Sequence, residues 1–455
     1  MCGIVCAFDL KQDSVSLRHQ ILEMSKRLRH RGPDWSGIYS SENAILAHER
    51  LAIVDPASGK QPLYSEDDTL ILAANGEIYN HLELRNQFEG KYNFRTESDC
   101  EIILALYQEK GANFVDELNG IFAFALFDSS NNSYFIARDH MGIIPLYMGW
   151  DKDGTFYVAS ELKALEGVCA KIELFPPGHY WTPKQGLVQY SKPSWAESIA
   201  LESQQGWRNR FRKQPEEDQL RSLFYEAVNK RMMADVDYGL FLSGGVDSCI
   251  VSLALSQSLR SGARSEQKKK RIPCYTVGQE GSPDIIAARA MVEALGGSKY
   301  VDHRERLFEA SEAIDLIDRV IFHMETYEAE LIRSAIPNWL LAEEAAKDVK
   351  MVITGEGSDE LFAGYLYFMD APNPPSLHNE LIRIANRLGQ VNLLRADRMT
   401  MAHGLEARVP FLDTNFVEAA MAVSPEYKMI EKEAIVQNRA GREKTYLRKM
   451  FQDSN

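Results

Sequence analysis

The first half of the chain alternates short hydrophobic runs with turn residues. The runs are GIVCAF, NAILAHERLAIV, TLILAANGEIYN, GIFAFALFD, SYFIARD and TFYVAS. Apolar stretches of this length between turn signals are typical of β-strands. Two other stretches, LRHQILEMSKRLRH and ESDCEIILALYQEKG, carry apolar residues at helical spacing. The pattern therefore predicts sheet layers accompanied by a few helices.

The second half of the chain has a different pattern, in which predicted strands alternate with predicted helices. Helix DQLRSLFYEAVNKRMM is followed by strand YGLFL, helix CIVSLALSQSL, strand CYTVG, helix DIIAARAMVEALGG and, further on, strand KMVITG. This alternation predicts an α/β domain with a parallel sheet. The intervening segment is polar and contains Pro193 and Pro215, so we read it as a linker. We predict domains at 1–190 and 213–455 with a linker over 191–212, and a solvated loop at SEQKKKR, 265–271.

Composition and charge narrow the class of protein. A chain of 455 residues is too long for one core, and 45% hydrophobic with 25% charged residues is ordinary for a globular protein. The net charge of −14 argues against a nucleic-acid or anionic-membrane partner. There is neither a membrane-length apolar run nor a signal peptide, and the six cysteines form no CxxC pair. We expect a cytoplasmic protein with free thiols.

The motif LSGGVDS, residues 242–248, follows an apolar strand and leads into a helix. Gly244 and Gly245 allow the backbone to approach an anion, and the helix N-terminus offers unpaired N–H groups. Ser243 and Ser248 can donate hydroxyls to phosphate, while Asp247 beside a nucleotide predicts Mg²⁺. SGG alone is equally consistent with a tight turn. The complete SGGxDS resembles the pyrophosphate loop of adenylating ATP pyrophosphatases.

A second strand–loop–helix element is KMVITGEGSDELFAGY, residues 350–365. Its acids Glu356, Asp359 and Glu360 stand beside two glycines after a buried strand. Acids also suit an ordinary solvated helix start. The glycine context favours a cluster that holds Mg²⁺ and supplies a general base for an attacking ammonia.

The chain opens MCGIVCAFDL, which places a cysteine directly behind the initiator methionine. Once Met1 is removed, Cys2 carries both a nucleophilic sulfur and an α-amino group that can serve as its base. The α-amino pKa of about 8 suits proton transfer near neutral pH. With Met1 attached, this chemistry is unavailable. We predict Cys2 as a nucleophile and Cys6 as a packing residue.

Polar residues at the ends of the neighbouring strands and helices complete a candidate pocket. Asn75 and the Gly76 N–H could form an oxyanion hole. Arg50 could hold a carboxylate, and Asp99, with Glu77, an ammonium group. Singly, Arg50 reads equally as a surface ion pair and Asp99 as a helix cap. Jointly they predict a free α-amino acid as the ligand.

Taken together, these motifs resemble the glutamine-dependent asparagine synthetases over essentially residues 1–455. The matching blocks are MCGI, RHRGPDWSG, HERLAIVD, NGEIYNH, SDCE, NGIFAFALFD, ARDHMGIIPLY, ASELKAL, PPGH, LSGGVDS, METY, GEGSDE, GYLYF and AHGLEARVPFLD. The resemblance implies an α/β protein with an N-terminal αββα Ntn-hydrolase glutaminase domain. It further implies a C-terminal ATP-pyrophosphatase domain with a parallel sheet, and an ammonia tunnel between the domains.

Carried over by motif, the resemblance implies glutamine, ATP and aspartate as substrates, Mg²⁺ as cofactor and a homodimer. It assigns residue roles as follows: Cys2, Asn75, Gly76 and Glu356 to catalysis; Arg50, Asn75, Gly76, Glu77 and Asp99 to glutamine; Leu242, Ser243, Gly244, Gly245, Asp247, Ser248, Val277, Gly278, Thr354 and Gly355 to ATP; Asp247 and Asp359 to metal; Glu330, Arg333 and Arg395 to the acceptor.

Two departures from the family leave alternatives open. In TYEAELIRSAIP, residues 326–337, Glu330 and Leu331 replace a threonine pair, and Ala335 and Ile336 replace Ser-Thr. Glu330 either points inward and repels a dicarboxylate, or faces solvent. The family also continues beyond EKTYLRKMFQDSN with a phosphate-binding lysine motif, so we expect one cation fewer if this sequence is whole. The acceptor is then aspartate or another carboxylate, or the protein is a degenerate glutamine-binding paralogue.

Overall fold

A computed structural model describes residues 1–199, 204–260, 271–430 and 443–452. The N-terminal half contains two six-stranded antiparallel sheets. In spatial order the first consists of β10 (Lys171–Leu174), β8 (Tyr147–Trp150), β9 (Phe156–Ala159), β1 (Gly3–Phe8), β3 (Ala44–Arg50) and β2 (Trp35–Ser40). The second consists of β12 (Gly186–Gln189), β11 (His179–Thr182), β7 (Ser133–Arg138), β6 (Gly120–Asp128), β5 (Leu70–Ile78) and β4 (Leu63–Tyr64). The predicted strands are therefore confirmed.

Period-2 alternation along the strands builds the layers of this half. Along β1, Ile4, Cys6 and Phe8 face the core between the sheets, whereas Val5 and Ala7 pack in the cluster that contains helix α1. The helices here are α1 (Ser14–Lys26), α2 (His81–Asn86), α3 (Ile102–Lys110) and α4 (Leu162–Leu165). Helix α3 packs on the outer face of the second sheet. The result is the predicted αββα order. Every residue of β1 and β6 is buried, so both faces of these strands are covered.

The C-terminal half is built on a five-stranded parallel sheet. Its strands, in spatial order, are β15 (Val301–Leu307), β14 (Ile272–Gly278), β13 (Tyr238–Phe241), β16 (Met351–Ile353) and β17 (Glu406–Arg408). The chain runs from β13 through β14 to β15 at one edge of the sheet, and then returns to form β16 on the other side of β13. Because strand order reverses there, the loops after β13 and β16 lie side by side, at the place where ligands bind in such sheets.

Helices surround this sheet and pack against the linking segment. They are α5 (Gln204–Arg210), α6 (Glu217–Arg231), α7 (Val246–Arg260), α8 (Pro283–Ala294), α9 (Ala310–Asp315), α10 (Ile317–Met324), α11 (Ala329–Ala345), α12 (Ser358–Phe362), α13 (Pro374–Ala385), α14 (Asn392–Met401), α15 (Thr414–Met421) and α16 (Thr445–Phe451). None of the helices that the structure describes could cross a membrane. The loop predicted at 265–271 falls, up to residue 270, outside the described ranges.

The segment predicted as a linker is folded where it is described. Trp195, Trp207 and Phe211 are buried, and Arg210 donates to the carbonyl oxygens of Glu197 and Ser194 at 2.7 and 2.8 Å. Its polar composition concealed three aromatic side chains that bury enough apolar surface to order the segment.

Candidate active sites

The first site lies at the start of β1, where three groups fix Cys2. The Cys2 N–H donates to Asn75 Oδ1 at 2.6 Å, and the Cys2 carbonyl oxygen accepts from Arg31 Nε at 2.8 Å. Sγ lies 3.8 Å from the Leu51 carbonyl oxygen. Burial raises the pKa of the Cys2 thiol. A thiol in this environment needs a nearby base before it can attack a substrate.

Met1 is present in this structure and is itself buried. Its ammonium group pairs with the Glu406 carboxylate of β17. Burial opposes that charge, but the neighbouring acidic groups, Glu406 first among them, together outweigh the effect and raise the pKa of the Met1 amino group. The nitrogen of Cys2 is then an amide that can only donate, so removal of Met1 is required to make it a base.

Strand β5 supplies the candidate oxyanion hole. Asn75 is fully buried, and its side chain reaches both Cys2 N and Ser160 Oγ. The next residue, Gly76, has φ +148°, and a Cβ there would lie 2.0 Å from the Ile121 carbonyl oxygen on β6. Only glycine fits this position. The sequence prediction for Asn75 and Gly76 is therefore compatible with the local geometry.

The rest of the predicted pocket gathers several buried charges. Asp99 Oδ2 accepts from Ile78 N–H at 2.6 Å, and burial raises the pKa of Asp99 to about 6 despite this hydrogen bond. Glu77 lies 3.1 Å from Arg408 Nη2, and burial raises the pKa of Glu77 well above its ordinary value. Sequence reasoning missed Glu406 and Arg408, which reach this pocket from the other half of the chain.

Arg50 lies at the end of β3, with its guanidinium over the following loop. Nη2 donates to the carbonyl oxygens of Asp55 at 2.6 Å and Val54 at 3.1 Å. The side chain is 5% exposed and forms no surface ion pair among the described residues. It is thus held at the pocket by backbone carbonyls and forms no ion pair with a carboxylate among the described residues, which leaves its fork open to an anion.

The second site is a cleft of about 560 Å³ at the carboxyl ends of β13, β14 and β16. Eleven residues predicted from sequence line it: Leu242, Ser243, Asp247, Ser248, Val277, Gly278, Thr354, Gly355, Glu356, Asp359 and Arg395. The two glycine-rich loops belong to neighbouring strands, β13 and β16. Helix α14 contributes Asn392 and Ala396 to the same lining.

The SGGVDS loop has the shape of an anion-binding turn. Gly244 has φ +74°, and a Cβ there would lie 2.5 Å from Ala288 N. Ser243 Oγ and Ser248 Oγ lie 3.2 Å apart, and Gly245 N–H points to Ser243 Oγ at 3.3 Å. Helix α7 begins at Val246, so its unpaired N–H groups open toward the cleft.

Asp247 and Asp359 converge on one cation, Lys444, which precedes α16. Lys444 Nζ contacts the Asp247 carboxylate and lies 2.9 Å from Asp359 Oδ1. Burial disfavours the charge, but the two carboxylates outweigh it and raise the pKa of Lys444. Lys444 lies in the segment EKTYLRK, where no local motif marks it as a site residue. The cleft therefore holds a cation that we did not expect.

Glu356 and Glu360, which looked alike in sequence, have different surroundings. Arg395 Nη2 lies 3.2 and 3.3 Å from the two Glu356 oxygens at the cleft. Glu360 is 2% exposed, and its Oε1 accepts from Tyr365 Oη at 2.5 Å and Asn392 Nδ2 at 2.7 Å. Glu360 thus supports the cleft wall, whereas Glu356 stays available to a reactant.

The structure does not bring Glu330 and Arg333 to the cleft. Both are exposed on α11, and neither belongs to the lining. The residues that replace the family's hydroxyls, Leu331, Ala335 and Ile336, are buried in an apolar cluster. The helical phase of α11 turns these three inward and Glu330 outward. This placement favours the solvent-facing alternative for Glu330.

The fold and the two sites define a class of two-domain proteins, in which a sandwich of the N-terminal-nucleophile type is joined to a parallel-sheet domain with a glycine-rich loop after its central strand. The sequence matches the glutamine amidotransferase domain family over 1–190 and the asparagine synthase family over 219–374 and 369–454. The chain belongs to the family of glutamine-hydrolysing asparagine synthetases.

Three curated relatives illustrate the similarity. Asparagine synthetase B [glutamine-hydrolyzing] of Escherichia coli K12 is 47% identical over 94% of this chain and 76% of its own length. Asparagine synthetase [glutamine-hydrolyzing] of Sandersonia aurantiaca is 45% identical over 100% of this chain and 83% of its own. Asparagine synthetase [glutamine-hydrolyzing] 1 of Arabidopsis thaliana is 44% identical over 100% and 74%.

Proposed function

We propose that this chain makes asparagine from aspartate, with glutamine as the nitrogen donor and ATP as the activating substrate. The observation that carries the proposal is the pairing of two sites in one chain. Cys2 with Asn75 and Gly76 forms the first site, and the cleft of the SGGVDS and GEGSDE loops forms the second. The family relationship supports both halves of the reaction.

In the first half-reaction, the free Cys2 amine takes the thiol proton and Sγ attacks the side-chain amide carbon of glutamine. Asn75 Nδ2 and Gly76 N–H hold the oxyanion. The Cys2 ammonium group then gives its proton to the leaving nitrogen. Collapse of the tetrahedral intermediate breaks the C–N bond, releases ammonia and leaves a thioester, which water hydrolyses to glutamate. Arg50 would bind the α-carboxylate of glutamine and Asp99 its α-ammonium group.

In the second half-reaction, the aspartate side-chain carboxylate attacks the α-phosphorus of ATP and releases pyrophosphate. Ser243, Ser248 and the α7 N-terminus would hold the phosphates, and Lys444 would offset their charge. Ammonia then attacks the acyl carbon of the aspartyl-adenylate and displaces AMP. Glu356, whose oxygens face the cleft, takes the proton that the attacking nitrogen loses.

Mg²⁺ fits the acids of the cleft. Asp247 and Asp359 already converge on one cation, Lys444 Nζ. Mg²⁺ is usually held by one or two carboxylates together with substrate phosphates, and these two carboxylates match that donor set. When bound, the ion would neutralise charge on the phosphate oxygens. The chain's own groups, Lys444 above all, already lower the repulsion between the acids and ATP.

Strand β17 supports direct transfer of ammonia between the sites. The Arg408 side chain pairs with Glu77 at the glutamine pocket, and the Arg408 carbonyl oxygen accepts from Thr354 N–H at the cleft, at 2.9 Å. One residue thus contacts both sites, which supports the proposal that ammonia passes directly between them. The homodimer and the cytoplasmic location remain predictions.

Two measurements test the proposed function. Cys2→Ala should abolish glutamine-dependent asparagine formation while ammonia-dependent formation persists, and equal loss of both would contradict the division of labour. A pyrophosphate-release screen over carboxylic acids tests the acceptor. Aspartate should be the best substrate because Glu330 faces away from the cleft. A clear preference for another acid would redirect the assignment to a related amide synthesis.

A further inference from the structure

A buried charge cluster crosses the boundary between the two halves, and Arg31 stands at its centre. Arg31 is 0% exposed and donates in three directions. Nε donates to the Cys2 carbonyl oxygen, Nη1 to Glu161, and the two Nη groups to Asp397, each at 2.8 Å. Arg31 and Glu161 belong to the N-terminal half, whereas Asp397 lies on α14 of the C-terminal half.

The pair between Arg31 and Asp397 is the strong link of the cluster. Asp397 is 2% exposed and binds the guanidinium with both carboxylate oxygens. Such bidentate pairs fix the plane of the guanidinium as well as its position. Because Nε lies in the same plane, Asp397 also sets the direction of the bond to the Cys2 carbonyl. Burial opposes the charge of Arg31, but Asp397 raises its pKa overall.

Cys2 depends on this bond once it becomes the first residue. Its amine then has no preceding peptide to hold it, and the residue is anchored by Asn75 on its nitrogen and by Arg31 on its carbonyl. The Cys2 carbonyl belongs to the peptide plane at the start of β1. Its orientation therefore determines the directions of the amine and of Sγ on the same residue. The amine must point at Sγ to accept its proton, so a displaced carbonyl weakens the base.

We propose that Asp397 is a positioning residue for the Cys2 nucleophile and acts through Arg31. The parallel-sheet domain thereby completes the glutaminase site of the other domain. Helix α14 serves both sites, since Arg395 on its cleft side contacts Glu356 while Asp397 contacts Arg31. This inference rests on the proposed glutaminase function and adds a residue that contacts neither glutamine nor ATP.

The remaining members of the cluster would keep the domains together without Asp397. Glu161 is held by Arg398 at 2.7 Å and by Lys163 at 2.5 Å, and Arg398 also pairs with Glu325 at 2.7 Å. Asp397→Asn keeps an acceptor and the side-chain shape but removes the charge. Asp397→Glu keeps the charge with a longer side chain. The two variants therefore separate the effect of the charge from the effect of the side-chain shape, while the contact of Glu161 with Arg398 stays in both.

The test uses the full chain with the N-terminus verified by intact mass. Glutamine hydrolysis, ammonia-dependent AMP formation and the pH profile of Cys2 alkylation by iodoacetamide are measured, the last by mass spectrometry of the N-terminal peptide. For Asp397→Asn, we expect kcat for glutamine and Cys2 alkylation at neutral pH to fall about tenfold or more. The KM for glutamine and ammonia-dependent synthesis should stay unchanged, and Asp397→Glu should recover part of the loss.

A matched control is Lys350→Met. Lys350 Nζ pairs with Asp34 across the same boundary at 2.7 Å, and Lys350 has no contact with Cys2 among the described residues. It should leave every rate unchanged. The inference is overturned if Lys350→Met produces the same loss, if Asp397→Asn lowers both syntheses equally, or if it changes neither hydrolysis nor alkylation. If the wild-type chain hydrolyses no glutamine, the proposed function fails, while the alkylation profile still decides the role of Asp397.

Discussion

The titration of Asp99 gives the glutamine pocket a specific pH dependence. Asp99 is fully buried, and burial raises its pKa from 3.8 to about 6. We expect the Asp99 carboxylate to bind the α-ammonium group of glutamine, so only the ionised form should bind well. Asp99 is then about nine-tenths ionised at pH 7 and about one-tenth at pH 5. The glutamine Kd should rise about tenfold between these pH values.

Binding is best measured by calorimetry on the Cys2→Ala variant, in which no hydrolysis occurs and the thiol does not titrate. Asp99→Asn should weaken glutamine binding at pH 7 by about 2 kcal/mol or more, because a buried charge loses its partner. The dependence on pH around 6 should also vanish. Glu77→Gln serves as the comparison variant, because Glu77 belongs to the same pocket and its pKa is raised as well; the dependence of the Kd on pH around 6 should persist in it if Asp99 carries the titration.

The same shift predicts a change in folding stability. A carboxyl whose folded pKa is raised from 3.8 to about 6 destabilises the folded state by about 3 kcal/mol above pH 6 and not at all below about pH 3. Asp99→Asn should therefore raise the free energy of unfolding by up to that amount at pH 7, with the gain disappearing as pH falls from 6 to 3. Urea unfolding at several pH values measures this gain in the free energy of unfolding.

If the glutamine Kd of Asp99→Asn still depends on pH around 6, the assignment of the titration to Asp99 is refuted.

Three further variants test other parts of the two sites. Lys444→Met removes the cation from Asp247 and Asp359, so AMP formation should fall about 100-fold or more while glutamine hydrolysis persists; an unchanged rate of AMP formation would show that Lys444 has no role there. Gly76→Ala places a Cβ 2.0 Å from a carbonyl oxygen, and we expect loss of glutamine hydrolysis together with a lower melting temperature; wild-type hydrolysis would contradict the geometry. Glu330→Ala should leave the aspartate KM and the stability within about 0.5 kcal/mol of wild type, because Glu330 is exposed, whereas a large fall in KM would place it near the substrate.

Most of the candidate reactive residues could be predicted from short local motifs. Cys2, the Asn75–Gly76 pair, SGGVDS and GEGSDE each combine reactive groups with glycine within a few residues. A strand followed by such a loop and a helix has one ordinary outcome in a parallel sheet, which is a loop at the carboxyl edge. The strands followed from short apolar runs between turn signals, as β1 illustrates with all of its residues buried, whereas the αββα order was implied by the family resemblance.

Side-chain direction was the first feature that the local pattern could not determine. Glu330 occupies a position where the family has a hydroxyl, and its sequence neighbourhood allowed either an inward or an outward side chain. The phase of α11, set by burial of Leu331, Ala335 and Ile336, decided it. The burial of Trp195, Trp207 and Phe211 in the segment predicted as a linker escaped the sequence analysis for a related reason, because single aromatic residues in a polar segment reveal their burial only when a partner surface is known.

Long-range charge pairing was the second feature that the local sequence pattern could not determine. Lys444 meets Asp247 across 197 positions, Arg31 meets Asp397 across 366, and the Met1 ammonium meets Glu406 across 405. The residues adjacent in sequence to one partner do not identify the other partner. A buried ion pair forms only when folding brings two surfaces together and removes water from them. The sequence by itself determined which reactive groups this protein has. The tertiary structure decided which charges hold those groups in place, because only packing removes the water that would otherwise screen them.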